Sequence, residues 1–408
     1  MPYFTNRELA YTYHVSDRTV RNWIDKAREG KLPLELETVG SNSYVSKTSG
    51  NIKVIEGYVA KYKNRRPHHV LKAVSPKPKF YKLFTQAQIY DIVRNLEMHH
   101  EIPRQYNYFD GGATRWDEYV KGLGSQDDAN LLNRTVELIS ENQGYLDKRL
   151  DACKMVNVVD VGVGNAQPAK NLLQHLLDQG KLARYIAIDI SAEMLEIARH
   201  NIKEWFGGSV HCETYEMDVT HERFANILAE DYLKEDVQGT SNIILFLGGT
   251  ADNLRIPDDA FRTINESMNA SDLLLYSNKL ETADMRPQWF NYSSSAPGKL
   301  ELAPMHRLVF DLLNIDATFY DVEMDFNEQM RQRYTRARLK VAMTLKFEFE
   351  DGERVIEFEK GETILIWRSW QMTAKDVADQ FDRTGFYTLH SSQTDDREYI
   401  LTVSQVRR

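Results

Sequence analysis

NVVDVGVGNAQPAKNLLQHLLDQGKLARYIAIDI, residues 157–190, decides the fold. A short β-branched run leads into Gly162 and Gly164. A helical stretch follows, with Pro168 near its first turn and Gly180 near its end, and then a second apolar run. This is strand, helix, strand, and the same alternation continues outward. SAEMLEIARHNIKEWF (191–206) reads as a helix capped by Ser191, and SVHCETYEMDV (209–219) as a third strand. SNIILFLGG (241–249) and SDLLLYSNK (271–279) are a fourth and a fifth strand, separated by the helical LRIPDDAFRTINESM. Nearly all-apolar strands alternating with helices imply a doubly wound parallel α/β sheet covered on both faces, whose ligands bind beyond the carboxyl ends of the strands.

Three such ends carry suitable groups. Gly162 and Gly164 permit a tight turn and a close ligand approach, with Asn165 following. Asp189, 25 residues beyond Gly164, is placed to hold two ribose hydroxyls, and Asp218, followed by Val219, an adenine amino group. A dinucleotide fingerprint needs a third glycine where this chain has Gln167. Asp160 precedes the glycines, where methyltransferases commonly have an acid. The chain closes with the helix TAKDVADQFDRTG and the hairpin YTLHSSQTDDREYILTVSQ (387–405), as methyltransferase sheets usually end. Together these point to a class I methyltransferase (Rossmann-like) sheet and to S-adenosyl-L-methionine as cofactor.

Further motifs narrow the resemblance. ARYIAIDISAEMLEIA, FLGGTADNL (246–254) and FEFEDGERVIEFEKGETILIWRSWQ (347–371) resemble the histidine-specific methyltransferase family from about residue 100 to the end. The resemblance implies N-methylation of an amino acid and a second lobe closing over it, built here from about 81–150 and 280–370. It makes Asn253 the residue that binds and orients the amino acid, and Gly248 the glycine before it. The aromatic stretch YNYFDGGATRWDEY supplies Tyr106, Tyr108, Phe109 and Trp116 to the substrate wall. From the chemistry of methyl transfer, the proton of the amine is expected to pass to a nearby tyrosine hydroxyl, taken as Tyr108, or to a carboxylate. The family's serine falls on Ser369. The glutamate that holds imidazole in the histidine enzyme is replaced by Trp367, and the family's YYPTR signature is absent, GLGSQDDANLL standing after the aromatic stretch. A cationic side chain thus loses its partner, so the expected substrate is an amine other than histidine; Trp367 suggests either an apolar or aromatic side chain on it or a site that is partly filled in.

The flanks complete the organisation. KVAMTLKFEFE, Asp351-Gly352 and RVIEF read as an antiparallel hairpin within an α+β insertion at 281–370, and residues 371–408 complete the sheet of the 151–280 domain. Residues 76–150 read as a linker, with Pro67, Pro76 and Pro78 holding PHHVLKAVSPKPKFYKLF extended, followed by the first part of the substrate lobe.

Residues 1–75 have another character. Of 408 residues, the first 80 hold 15 Lys+Arg against 7 Asp+Glu, a net of +8. The remainder holds 36 against 53, a net of −17. DRTVRNWIDKAREGKL, with Val20, Trp23, Ile24 and Ala27 at helical spacing, follows a shorter helix, and a hairpin at LELETV and SYVS comes next. This resembles the MerR and excisionase winged helix-turn-helix. The resemblance makes Arg18, Arg21 and Asn22 readers of duplex DNA; Lys61, Lys63 and Arg65 form a basic cluster on the next helix. A protein or peptide partner and a plain scaffold are the other readings of this head.

Composition excludes other classes. With 42% hydrophobic and 27% charged residues the chain is globular. No apolar run nears the roughly 20 residues that span a bilayer, and MPYFTNRELAYTYH lacks a signal-peptide pattern, so a cytoplasmic protein is expected. Two cysteines, Cys153 and Cys212, make no disulfide framework and read as small buried hydrophobes. The His68-His69 and His99-His100 pairs have no ligand partner at helical spacing, so no metal is expected. Two other functions compete: methylation of a peptide, protein or nucleic acid delivered by the basic head, and a regulator that uses the body as a ligand sensor. FLGGTADNL lacks the Asn/Asp-Pro-Pro-aromatic motif of base-amino methylases.

Overall fold

The computed structural model describes residues 3–13, 15, 17–39, 42–64, 72–124, 130–232, 239–282, 300–350 and 352–407. They fall into two compact units, Met1–Leu71 and Lys72–Arg408.

In the larger unit the apolar runs become a seven-stranded sheet. Its strands are β1 (Met155–Val161), β2 (Leu182–Asp189), β3 (Cys212–Glu216), β4 (Thr240–Phe246), β5 (Leu273–Lys279), β6 (Phe386–Gln393) and β7 (Tyr399–Val406). Their order is β6-β7-β5-β4-β1-β2-β3. Strands β1 to β5 pair in parallel, and β7 runs antiparallel to both β5 and β6. Successive side chains face opposite ways, and both faces are buried. Val156, Val158, Tyr185, Ala187, Ile243 and Leu245 enter one core. Val159, Val161, Ile186, Ile188, Ile244 and Phe246 enter the other. The helix Ala192–Phe206 is capped by Ser191, whose hydroxyl accepts the N–H of Met194. Cys153 and Cys212 are half-buried rather than fully buried.

A third core joins two distant stretches of chain: Val74, Phe80, Phe84, Ile89, Ile92, Leu96 and Tyr106 pack with Phe310, Leu345, Phe347, Ile356 and Ile366. It carries two small sheets, one of Tyr320–Asn327, Gln332–Leu339 and Thr363–Trp370, the other of Gly352–Phe358, Met343–Phe349 and Lys72–Val74. Here the structure corrects the sequence expectation. Residues 72–84 are not an extended linker, and the stretch 72–75 does not belong with the head. Lys72–Val74 pairs in parallel with Met343–Leu345. Pro78 opens the helix Pro78–Leu83 in its first turn, where the missing N–H costs nothing, and Phe80 is fully buried.

The smaller unit runs strand Tyr3–Phe4, helices Asn6–Tyr13 and Asp17–Arg28, strands Leu36–Val39 and Asn42–Ser46, and helix Ser49–Asn64. The strands form one sheet with Asn42–Ser46 in the centre. Val20, Trp23 and Ile24 are buried with Leu9, Val45 and Ile55, and Ala27 packs against them half-buried. The strand Tyr3–Phe4 is too short to leave a pattern in sequence.

The Phe80 ring meets Phe84 at 5.3 Å and Phe347 at 6.0 Å, so it ties the 72–106 stretch to the later one. Phe80→Ala is expected to lower unfolding free energy by about 3–5 kcal/mol. Urea denaturation checks this; a loss below about 1 kcal/mol would show that the residue packs loosely.

Candidate functional site

The strand-end groups come together in a cavity of about 1250 Å³. That exceeds the roughly 300–1000 Å³ of a pocket for one small ligand, leaving room for a cofactor and a substrate. One end of it lies beyond β1, β2 and β3. Gly162 adopts φ +69°, and a Cβ there would stand 2.6 Å from the Thr250 methyl, so only glycine fits this turn. Asp189, at the end of β2, accepts the Ser191 N–H at 3.0 Å and the Gly164 N–H at 3.4 Å. Burial nevertheless pushes its carboxyl up to about 6. No cation among the described residues offsets that burial, so two ribose hydroxyls donating to it fit the site. Asp218 lies two residues past β3. Its Oδ1 accepts both the N–H and the hydroxyl of Thr220, and Val219 lines the cavity beside it.

Most residues singled out from sequence reach this cavity: Tyr106, Tyr108, Phe109, Trp116, Gly162, Gly164, Asn165, Asp189, Asp218, Val219, Gly248, Asn253, Trp367 and Ser369 line it. Asp160 does not. It sits on β1 one residue before the strand's end, and its side chain turns into the core, where it accepts the Tyr185 hydroxyl at 2.7 Å. Several roles also change. The Asn165 amide donates to Asp117 at 2.9 Å and accepts the Gln167 N–H at 3.1 Å, so its polar atoms tie the roof helix Gly112–Gly124 to the glycine turn. The Trp116 indole nitrogen lies 3.9 Å from the Cβ position of Gly164, beside the glycine turn rather than in the aromatic wall alone. The Tyr106 hydroxyl is spent on Asp91 at 2.7 Å, and burial together with that carboxylate keeps it a neutral phenol.

At the other end, the strand Thr363–Trp370 meets the turn after β4. The Trp367 indole donates to Asn253 Oδ1 at 2.8 Å, and the Asn253 amide nitrogen donates to the Gly249 carbonyl. The Trp370 indole donates to the Leu254 carbonyl at 2.8 Å. Trp367 and Asn253 are therefore in direct contact, while the cavity stays open beside them. Ser369 Oγ accepts from Gln371 at 2.8 Å and pairs across the strands with Arg333, whose guanidinium lies 5.9 Å from the Trp367 ring centre.

Other site groups were not singled out from sequence. Asp252 lines the cavity almost fully buried, and Asn278 donates to it at 2.6 Å; burial raises its carboxyl well above the usual range. Glu193 accepts the backbone N–H groups of Asp110 and Gly111 at 3.0 and 3.2 Å, fastening the aromatic loop to the helix after β2. A buried ion pair joins Glu101 to Arg368. Arg104 and His306 also line the cavity. A signal was present only for Glu193, as an acid in a helix's first turn.

Of the head's residues, Arg21 and Asn22 are exposed on the helix Asp17–Arg28. The side chains of Arg18, Lys61 and Lys63, and the whole of Arg65, lie outside the described residues.

A doubly wound sheet of this order, with a glycine turn and two acids along its carboxyl edge, is that of an S-adenosylmethionine-dependent methyltransferase. More narrowly, the chain belongs to the family described as histidine-specific methyltransferase, SAM-dependent, whose model matches residues 88–406. It is similar to a histidine N-alpha-methyltransferase of Mycobacterium tuberculosis, 24% identical over 249 residues, which are 58% of this chain and 71% of that protein. Among solved structures, one similar chain is an S-adenosylmethionine-dependent methyltransferase of Clostridium acetobutylicum: TM-score 0.37, 10% identity, 72% of this chain and 98% of that one. Another is the glycopeptide N-methyltransferase MtfA complexed with S-adenosylmethionine: TM-score 0.33, 11% identity, 65% of this chain and 93% of that one.

The acids at this edge make stability depend on pH. Burial pushes the Asp160 carboxyl up to about 7, with Asp189 adding to the rise and the Tyr185 hydrogen bond opposing it. The unfolded carboxyl releases its proton near 3.9, whereas the folded one keeps it until about 7. Its contribution to stability is therefore greatest below the unfolded value. It declines as pH rises to the folded one, by at most about 1.4 kcal/mol per pH unit. Asp160→Asn, which retains an acceptor for Tyr185, is expected to flatten the fall in thermal midpoint between pH 5 and 8. An unchanged slope would mean that Asp160 ionises without penalty.

Proposed function

We propose that this methyltransferase N-methylates an amino acid or an amino-acid-like amine other than histidine. The observation that carries the reading is Trp367. It occupies the position of the imidazole-holding acid, and its indole donates to the very amide that the resemblance assigns to the substrate. An imidazole entering there meets an N–H and an aromatic face instead of a carboxylate.

The chemistry follows from placement. S-adenosylmethionine, when bound, supplies an electrophilic methyl group on a sulfonium. The chain's part is to hold an uncharged amine in line with that methyl group, in a site closed to water. Asn253 Oδ1 has a second lone pair beyond the one taken by Trp367. A substrate N–H donating to it leaves the nitrogen lone pair free to attack. Tyr108, the proton acceptor in this reading, lines the cavity and meets Trp116 edge-on at 6.1 Å. The aromatic wall of Tyr108, Phe109 and Trp116 excludes solvent.

Incubation with labelled S-adenosylmethionine and separate pools of amino acids, peptides and duplex DNA tests the reading. Label is expected in a non-histidine amino acid or related amine, and Asn253→Ala is expected to lower kcat/KM by about 100-fold or more. Label in peptides or DNA alone would favour delivery by the head. A protein that binds S-adenosylmethionine and labels nothing would favour the ligand-sensing regulator.

For residues 1–71 the proposal is a winged helix-turn-helix that binds duplex DNA. Two consecutive helices followed by a hairpin support it, as does the placement of Arg21 and Asn22 on the exposed side of a helix whose Val20, Trp23 and Ile24 are buried. Electrophoresis of the full chain with duplex DNA is expected to show a shift that weakens steeply with salt, because neutralised phosphates release counterions. No shift at low salt, or one insensitive to Arg21→Ala with Asn22→Ala, would leave the head as a protein-docking module. As regards membranes, no helix among the described residues is long and apolar enough to cross one.

A further inference from the structure

The cavity holds a guanidinium that no acid among the described residues neutralises. Arg104 opens the short helical turn Arg104–Tyr108 and is half-buried in the cavity wall. Its guanidinium carbon lies 5.2 Å from the Trp116 ring centre and 5.9 Å from that of Tyr108, so two aromatic rings fix its place. Among the described residues it makes no hydrogen bond or ion pair. Two acids of the same cavity are already committed: Asp91 accepts from Tyr106 and Asn95, and Glu101 is paired with Arg368.

His306 shares a small second void with Arg104, Tyr108 and Trp116. Burial, and after it the Arg104 charge, hold its imidazole down at about 4, so it stays neutral and offers Arg104 no competition for an anion. The His306 ring lies 6.4 Å from the Trp367 ring, which places this group at the substrate end. A half-buried cation without a counter-ion is unfavourable until an anion reaches it, and the planar fork of arginine matches a carboxylate.

We propose that Arg104 receives the carboxylate of the substrate, so that the site selects amino acids over the corresponding decarboxylated amines. This rests on the amino-acid reading above and narrows it to amines that carry a carboxylate. The methionyl tail of the cofactor also bears a carboxylate, and the test separates the two.

The full chain, saturated with S-adenosylhomocysteine, is titrated by calorimetry with each of the twenty amino acids and with matched amines such as tryptamine and isoamylamine. Wild type is expected to bind at least one amino acid roughly 10- to 100-fold more tightly than its decarboxylated amine. Arg104→Gln brings the amino acid down to the affinity of the amine and leaves the amine unchanged, with Arg104→Lys intermediate. Both variants keep wild-type affinity for S-adenosylhomocysteine, which also reports that they fold. Equal binding of the amino acid by wild type and Arg104→Gln overturns the proposal and leaves the amino-acid reading standing. A loss of S-adenosylhomocysteine affinity not shared by 5′-methylthioadenosine, which lacks the carboxylate, assigns Arg104 to the cofactor tail and also overturns it. If wild type binds no amino acid and no amine, the amino-acid reading falls and the proposal with it.

Discussion

Because β1, β2 and β4 bury side chains on both faces, this sheet can offer polar groups to a ligand only along the line where its strands stop. That constraint orders the rest of the larger unit. Backbone at the strand ends must turn sharply and stay thin enough for a ligand to approach, which Gly162 achieves and no larger residue would beside Thr250. Carboxyls at those ends pass out of water without a compensating cation among the described residues, so Asp189 and Asp252 hold their protons more tightly than free carboxyls do. A ligand that donates hydrogen bonds is what such an edge lacks.

Roof and wall are fastened to that edge by hydrogen bonds rather than by apolar packing alone. Asp117 with Asn165, Glu193 with the amides of 110–111, and Trp367 with Asn253 each join a helix, loop or strand of the roof and wall to the strand-end edge. These bonds explain why residues that read as ligand contacts can instead act one step back. Asn165 positions the helix that carries Trp116, and Tyr106 braces the wall through Asp91. The departure at Trp367 is therefore more than the loss of an acid, since the indole takes one of the two lone pairs that Asn253 has to give.

What was legible in the sequence follows from the range of each interaction. The strands, Gly162, Gly164, Asp189, Asp218 and the closing hairpin are set by local periodicity and turn chemistry, and they stand where that pattern placed them. Asp160 misled because its side chain turns inward one residue short of the edge, a distinction that needs the register. The prolines near 76–78 misled because the partner of Lys72–Val74 lies some 270 residues further along the chain. Arg104 and His306 were invisible for the same reason: neither has a pattern of its own, and each acquires meaning from residues far away in sequence.

The lobe built from 72–106 and 302–366 has a consequence for how the chain comes into being. The early stretch leaves the ribosome with Phe80, Phe84, Ile89 and Ile92 facing outward, and its partners emerge only after the whole parallel sheet has been made. At roughly 5–20 residues per second the wait lasts on the order of 15–50 s. Through that interval the nascent protein carries a sticky apolar flap beside a sheet that is still short of its last two strands. That apolar face is thus covered only once residues 302–366 have been made.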